Sequence, residues 1–214
     1  MSFFTNGHTD RAPGRITGNP VNGLCEKVCI QAQKVFDACI KQMQVDGINL
    51  PLADLTPANP TLPLTFVSAR STTSTGTVTN LQVDRLPDRR CFARVQATVS
   101  LPVEVLYTDA NGVAGSATST MSFDQDIVMY VPEPSIIPFD VVAVASVVCP
   151  DGVFVDGDTP AFTVSGCVTI ISKIVMTVEL LVPSYGYPII PKCQEYANDV
   201  CSGFFDLPIY PGNG

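Results

Sequence analysis

The sequence predicts a mainly β protein, an antiparallel β-sandwich with an N-terminal helix and a short C-terminal helix. Between residues 64 and 184, apolar and polar residues alternate over long stretches, at the period of two that a half-buried strand requires. Turn residues (Gly, Pro, Asn and Asp) separate these stretches, which is typical of strands joined by hairpins. Before residue 46 the apolar spacing is instead three and four, which favours a helix.

The N-terminal part predicts a flexible arm followed by a helix. Residues 1–20 are rich in Gly, Pro, Asn and Thr and lack the apolar core of a signal peptide. Residues 21–45 predict a helix with Asn22 at its N-cap. Its apolar stripe comprises Cys25, Cys29, Ala32, Phe36, Cys39, Ile40 and Met43. Three cysteines would therefore lie on the buried or partner-facing side of the helix.

A linker and about seven long strands, six of which can be placed, are expected next. Asp46-Gly47 and four prolines predict a Pro-rich linker over residues 46–63, before a β-sandwich over 64–184. We expect a bend at Pro102, a hairpin turn over residues 109–112 and another turn over residues 150–152. The predicted strands cover residues 64–70, 76–85, 91–107, 119–131, 139–149 and 162–182. The fifth is apolar on both faces and is expected to be covered on both sides.

The C-terminal region, residues 185–214, predicts a short helix and an apolar tail. Residues 192–202 can form the helix, which would carry Cys193 and Cys201. The apolar side chains of the tail are Phe204, Phe205, Leu207, Ile209 and Tyr210. A segment this apolar normally docks on something, so we interpret it as a docking tail.

Charge and hydropathy exclude two classes of partner. The net charge is −8, with only 12 Lys and Arg, so the basic footprint of a nucleic-acid-binding protein is missing. The apolar stretches are shorter than the roughly 18–20 residues of a membrane-spanning helix. We therefore expect no nucleic acid and no membrane as partners. The high apolar content belongs either to a core or to a subunit interface.

Catalysis is not indicated, so we predict that the chain is not an enzyme. The only histidine is His8, in the expected arm, where it cannot serve as the fixed base of a nucleophilic dyad. Glu104 and Glu179 lie on polar strand faces, where a solvated role is favoured over glycosidase chemistry. No glycine-rich nucleotide motif is present.

No metal and no cofactor are expected. Cys25-x3-Cys29 does not have the spacing of a zinc site, and no histidine lies near it. Asp151, Asp156 and Asp158 could hold calcium, but the spacing is not that of an EF-hand, and a hairpin turn is favoured.

The cysteines are the candidate functional residues, as sites of assembly through disulfides. They are Cys25, Cys29, Cys39, Cys91, Cys149, Cys167, Cys193 and Cys201. The alternative is that they are buried, reduced core residues, as cysteine often is. Two thiols on one regular helix meet disulfide geometry poorly at i, i+4 and not at i, i+8. Bridges must then reach another element or another chain, and the pairing stays open.

Three segments resemble a family of clostridial spore-surface proteins. They are LCEKVCIQAQKVFDAC (24–39), YVPEPSIIPFDV (130–141) and VELLVPSYGYPIIPKCQEYANDVCSGFFDLP (178–208). Residues 95–182, with a Y-x-D-x-x-G hairpin and an FDQDI strand, are similar to the β domain repeated in clostridial spore-coat morphogenetic proteins. The resemblance implies a coat or exosporium component, made in the mother cell without a signal peptide and oxidised after that cell lyses.

Together these observations predict a structural, self-assembling protein whose partners are copies of itself or other spore-layer proteins. Subunits would pack through apolar surfaces and be locked by disulfides into a homo-oligomer, fibre or lattice at the spore surface. The alternative is a cell-surface adhesin or carbohydrate-binding β-sandwich module, in which exposed aromatic side chains such as Tyr185 and Tyr187 would contact the ligand.

Overall fold

A computed structural model describes residues 18–157 and 159–188, which form one antiparallel sheet of eight strands and contain no helix. The strands are β1 (Glu26–Pro51), β2 (Ala53–Thr56), β3 (Thr65–Ser71), β4 (Thr75–Leu86), β5 (Arg89–Thr108), β6 (Ala114–Tyr130), β7 (Asp140–Val155) and β8 (Ala161–Ser184). The prediction of a mainly β, antiparallel protein is thus confirmed.

Two short strands, β3 and β4, fill the middle of the sheet in line with each other. The strand order is β1-β8-β7-β3-β5-β6-β2, and β4 pairs with both β5 and β7. β3 lies along the C-terminal half of β5 and β4 along its N-terminal half. The Thr72 N–H donates to the Pro102 carbonyl (3.1 Å) at the break between them. β3 and β4 therefore act as one interrupted strand between β5 and β7.

The two end strands of this order, β1 and β2, are separated by a single residue, Leu52. The Leu52 N–H donates to the Pro160 carbonyl (2.9 Å), and the Ser119 hydroxyl of β6 donates to the Pro51 carbonyl (2.8 Å). The sheet must therefore fold over on itself within Gln33–Val178. It encloses a core as a sandwich does, but with one continuous sheet.

Side chains of the long strands fill this core, because every second side chain along a strand points inward. In β5 the inward set runs from Ala93 to Tyr107 and is almost fully buried. Phe162 of β8 is fully buried between the rings of Phe66 and Phe154, whose centroids lie 5.2 and 5.8 Å from its own. Each such side chain contributes about 1.5–3 kcal/mol on burial, so the core holds the strands in register.

The predicted hairpin turn after β5 is fixed by Asp109. Its carboxylate accepts hydrogen bonds from the backbone N–H groups of Val113 (2.8 Å), Asn111 (2.9 Å) and Thr61 (3.2 Å). The Val113 bond is the main reason that the pKa of Asp109 lies below its usual value. Gly112 has a φ of 79°, which glycine adopts at little cost. The turn is thereby bound to the loop before β3.

The chain consists of two compact units. One unit is Gln33–Val178, which contains the core. The described residues of the other are 18–32 and 179–188, where the first residues of β1 and the last residues of β8 form a two-stranded ribbon.

The predicted helix over residues 21–45 is wrong. Residues 20–23 form a turn, in which the Asn22 N–H donates to the Asn19 carbonyl (3.1 Å), and β1 begins at Glu26. β1 is hydrogen-bonded to β8, a strand of 24 residues whose length offers β1 a continuous edge. This long-range pairing overrides the local spacing of apolar residues. The strand continues through Gly47, which has a φ of 69°.

Other strand boundaries also differ from the predictions. β1 extends to Pro51 and β2 follows, so strands occupy much of the segment predicted as a linker over residues 46–63. β7 continues through residues 150–152, predicted as a turn, with a register shift between Val148 and Asp151. β7 is not covered on both faces, because Val148 is 54% exposed. The remaining predicted strands are present, and Pro102 lies within β5.

Some predictions lie outside the described residues. They are the C-terminal helix over residues 192–202 with Cys193 and Cys201, the docking tail with Phe204, Phe205, Leu207, Ile209 and Tyr210, residues 1–17 of the arm with His8, and Asp158.

Candidate assembly surfaces

The ribbon begins at Cys25, which is bound to the end of β8. The Cys25 N–H donates to the Ser184 carbonyl (3.0 Å), and its thiol lies 3.4 Å from the same oxygen. A turn precedes it, in which the Asn19 side chain accepts the Val21 N–H (3.0 Å). Because Gly23 has a φ of 88°, the chain can reverse there into β1.

Tyr185 links the two chain segments at this end of the ribbon. Its hydroxyl donates to the Pro20 carbonyl, and its ring lies 3.4 Å from the position that a Cβ on Gly23 would occupy. The Gly186 N–H donates to the Ser184 hydroxyl (2.9 Å). The aromatic side chain that could have served a carbohydrate-binding module is therefore used to join the two chain segments of the ribbon.

Two exposed thiols and several exposed apolar side chains lie on the ribbon. Cys25 and Cys29 are both exposed and unpaired. Since they are four residues apart in extended chain, they lie on the same side of the strand, about 13 Å from each other. That distance is well beyond disulfide reach. The exposed apolar side chains are Val21 (66%), Leu24 (36%), Ile30 (40%), Leu180 (41%) and Leu181 (68%).

A second surface, the Cys167 patch, lies on the outward face of β7 and β8. Cys167 is exposed, and its register partner across the strands is Val148, itself 54% exposed. Thr169 beside it accepts a hydrogen bond from the Gln42 amide of β1 (3.4 Å). The patch thus presents a thiol and a valine on a regular sheet surface. The alternation in β8 predicts this outward position of Cys167.

The other described thiols are more enclosed. Cys149 is fully buried in the core, where burial raises its pKa, with a smaller effect of Cys167. Cys39 packs against the cluster around Met129, and burial raises its pKa as well, with a smaller effect of Asp37. A raised pKa leaves less thiolate and makes these thiols less reactive. Cys91 is half-buried at the start of β5.

The exposed face of β5 and β6 carries polar pairs that bind one another. The Arg94 guanidinium donates to the Asp126 carboxylate (2.7 Å), and the Thr98 hydroxyl donates to Asp124 (2.9 Å). Glu104, considered above as a catalytic carboxylate, accepts a hydrogen bond from Arg70 of β3 (3.3 Å). These groups satisfy each other across the strands, which is typical of a solvated sheet face.

No three His, Cys, Asp or Glu side chains converge as metal ligands within residues 18–157 and 159–188. The same residues include no helix long and apolar enough to cross a bilayer. The described part therefore offers two surfaces with unpaired thiols, the ribbon and the Cys167 patch. Sequence reasoning missed the exposed Val148 and Leu180 beside them. Leu181, an apolar residue on a polar strand face, was the signal available for the ribbon.

Comparisons with known proteins found no match to this chain among family models, curated proteins or solved structures.

Proposed function

We propose that this chain is a structural, self-assembling protein whose subunits pack through exposed apolar side chains and are locked together by disulfides. The observation that carries the proposal is the position of the unpaired thiols. Cys29 of β1 and Cys167 of β8 are exposed on strands and Cys25 is exposed just before β1, and all three have exposed apolar side chains nearby. A core role requires the opposite, as in Cys149, which is fully buried.

Strand geometry supports bridges to partners outside β1. Cys25 and Cys29 are too far apart to bond to each other, and each faces solvent. An apolar side chain next to an exposed thiol adds area that association removes from water, at roughly 25 cal/mol per Å². The disulfide then prevents the associated subunits from separating on dilution.

The setting we propose is a bacterial spore outer layer or appendage, on the basis of the three segments that resemble clostridial spore-surface proteins. A shell of this kind is oxidised after the mother cell lyses, which accounts for thiols that are synthesised in a reducing compartment. A net charge of −8 makes copies of the chain repel one another, so covalent links would be useful in holding them together.

Electrophoresis without reductant tests this function. The purified chain, oxidised with glutathione disulfide, is expected to give a ladder of high-mass bands that collapses when dithiothreitol is added. The double variant C25S/C29S and the variant C167S should each shorten the ladder. The matched control is C149A, which removes a buried thiol and should leave the ladder unchanged.

Two outcomes would refute the proposal. One is a clean monomer band for the oxidised wild-type chain. The other is a ladder that persists when all three exposed thiols are replaced together but disappears in C149A, because the bridges would then arise from unfolded chains.

A further inference from the structure

The buried apolar side chains within Gln33–Val178 form two separate clusters. The larger cluster lies around Leu101 and Phe162, and the smaller one around Met129 and Ile174. Three long strands run through both clusters, and between the clusters each strand carries an inward-facing residue that belongs to neither. We call these residues the middle layer: Ala97 of β5, Gln125 of β6 and Ser172 of β8.

Strand pairing places two of these residues side by side. The inward-facing neighbours of Ala97 along β5 are Val99, in the larger cluster, and Val95, in the smaller one. Gln125 is the register partner of Ala97 on β6, so its side chain faces the same level of the interior. Alanine is short, and it leaves space there that a larger apolar side chain would fill.

Gln125 brings an unpartnered acceptor into this layer. The residue is only 4% exposed, and its side-chain N–H₂ group donates to the Asp124 carbonyl (3.1 Å). Its Oε1 is buried and has no hydrogen-bond partner among the residues that the structure describes. Because a buried carbonyl oxygen without a donor is costly, a donor is expected beside it.

The middle layer also has room for a water molecule. An inward-facing side chain keeps accessible surface only where a water molecule can touch it. On β5, Ala97 is 8% exposed, whereas its inward-facing neighbours on either side are at most 2% exposed. On β8, Ser172 is 5% exposed between Ile170 (1%) and Ile174 (0%). Accessible surface therefore reappears at the same layer on two strands.

The pairing of β4 with β5 is interrupted beside this layer. Two residues of β4, Asn80 and Leu81, stand opposite the single residue Ala97, and Asn80 has a φ of 52°. An extra residue of this kind leaves the two strands locally unpaired. Local opening at this point therefore lets a water molecule exchange with the solvent.

We propose that the middle layer binds an internal water molecule, which donates a hydrogen bond to the Gln125 Oε1 and forms a second one with the Ser172 hydroxyl. Four polar side chains are buried in the described part of the chain, and two of them, Asp109 and Ser119, are bound to the backbone. The other two are Gln125 and Ser172, and both face this layer. An internal water needs two to four polar partners, which this pair begins to supply. The site lies in the core and goes beyond the assembly function.

Oxygen-17 relaxation dispersion of the water signal tests this site in the reduced full chain. Its amplitude is proportional to the number of water molecules that stay inside the protein for longer than the protein takes to tumble. Q125M removes the acceptor at nearly constant volume, so the amplitude should fall by the contribution of one water molecule. The matched control is Q96M, which makes the same substitution on the outward face of β5 and should leave the amplitude unchanged.

Two measurements on the wild-type chain do not depend on how a variant folds. Nuclear Overhauser effects should connect the Gln125 side-chain amide protons with a long-lived water molecule. Xenon, which enters dry apolar cavities, should leave the chemical shift of the Ala97 methyl group unchanged.

Three results would overturn the inference: equal amplitudes for the wild type and Q125M, no Overhauser effect between water and the Gln125 amide, or a xenon-induced shift of the Ala97 methyl group. The last would show that the middle layer is a dry apolar space. None of the three involves the exposed thiols or the bands that test the assembly function, so the two proposals can fail separately.

Discussion

Replacing Gly166 of β8 with alanine should destabilise the sheet beside the Cys167 patch. A Cβ at Gly166 would lie 2.5 Å from the Val148 carbonyl oxygen, 2.7 Å from the Cys149 sulfur and 2.9 Å from the Cys149 Cα. Two of these three atoms belong to the backbone of β7. They cannot move aside without breaking the pairing of Val148 with Cys167.

The magnitude follows from the close contacts. Forcing one methyl group into a filled space typically costs about 1–3 kcal/mol, and backbone neighbours place G166A at the upper end, about 3 kcal/mol. For a domain of this size each kcal/mol lowers the Tm by about 2–4 °C. The Tm of G166A should therefore fall by about 6–12 °C.

Circular dichroism of thermal unfolding, under reducing conditions, measures this shift. The matched control is G157A, because the nearest atom to a Cβ there is the Thr159 carbonyl oxygen at 3.8 Å, an ordinary contact. Alanine at such a position often stabilises a protein slightly, by reducing the entropy of the unfolded chain. Equal Tm values for G166A and G157A would show that β7 and β8 are not packed as described.

Two further predictions concern the core and the hairpin between β5 and β6. F162A should lower the free energy of unfolding by about 3–5 kcal/mol, because Phe162 is fully buried between two other rings. R94A should leave the free energy of unfolding unchanged within error, because its ion pair with Asp126 is half exposed. Urea denaturation measures both variants, and similar losses would contradict this account. D109N should lower the Tm at neutral pH, with a difference from wild type that narrows as the pH falls below about 4. The reason is that hydrogen bonds from backbone N–H groups hold the pKa of Asp109 below 3.8 in the folded state, so its stabilisation is present above that pH and is lost as the carboxylate becomes protonated. A difference that stays constant from pH 7 to pH 2.5 would refute this role.

The strands of the core could be predicted from sequence because alternation there is uninterrupted. β8 alternates from Phe162 to Met176, where every even residue except Gly166 and Ser172 bears a large apolar side chain, and Gly166 faces Cys149. The same alternation places Cys167 on the outward face, where the structure has it. In such a segment the local pattern and the tertiary contacts favour the same structure, so the pattern alone is sufficient to predict the strand.

β1 could not be predicted in this way, because it is mostly exposed and its pattern is ambiguous. Cys25, Cys29 and Phe36 fit a helical spacing, while the β-branched Val28, Ile30 and Val35 favour a strand. The deciding interaction is the edge of β8, which lies more than a hundred residues further along the chain. Local propensities are too weak to outweigh such an edge, and nothing near residue 30 reveals it.

The presence of β1 where the sequence predicts a helix alters which bonds the N-terminal thiols can form. On a helix, Cys25 and Cys29 would lie about 6 Å apart and could both bind one ligand. In the ribbon they lie about 13 Å apart on one side, so any bridges that they form must go to two separate partner thiols. Together with the outward-facing Cys167, the described residues present three exposed thiols, and the assembly we propose needs at least two per subunit to form a chain of subunits rather than a closed pair.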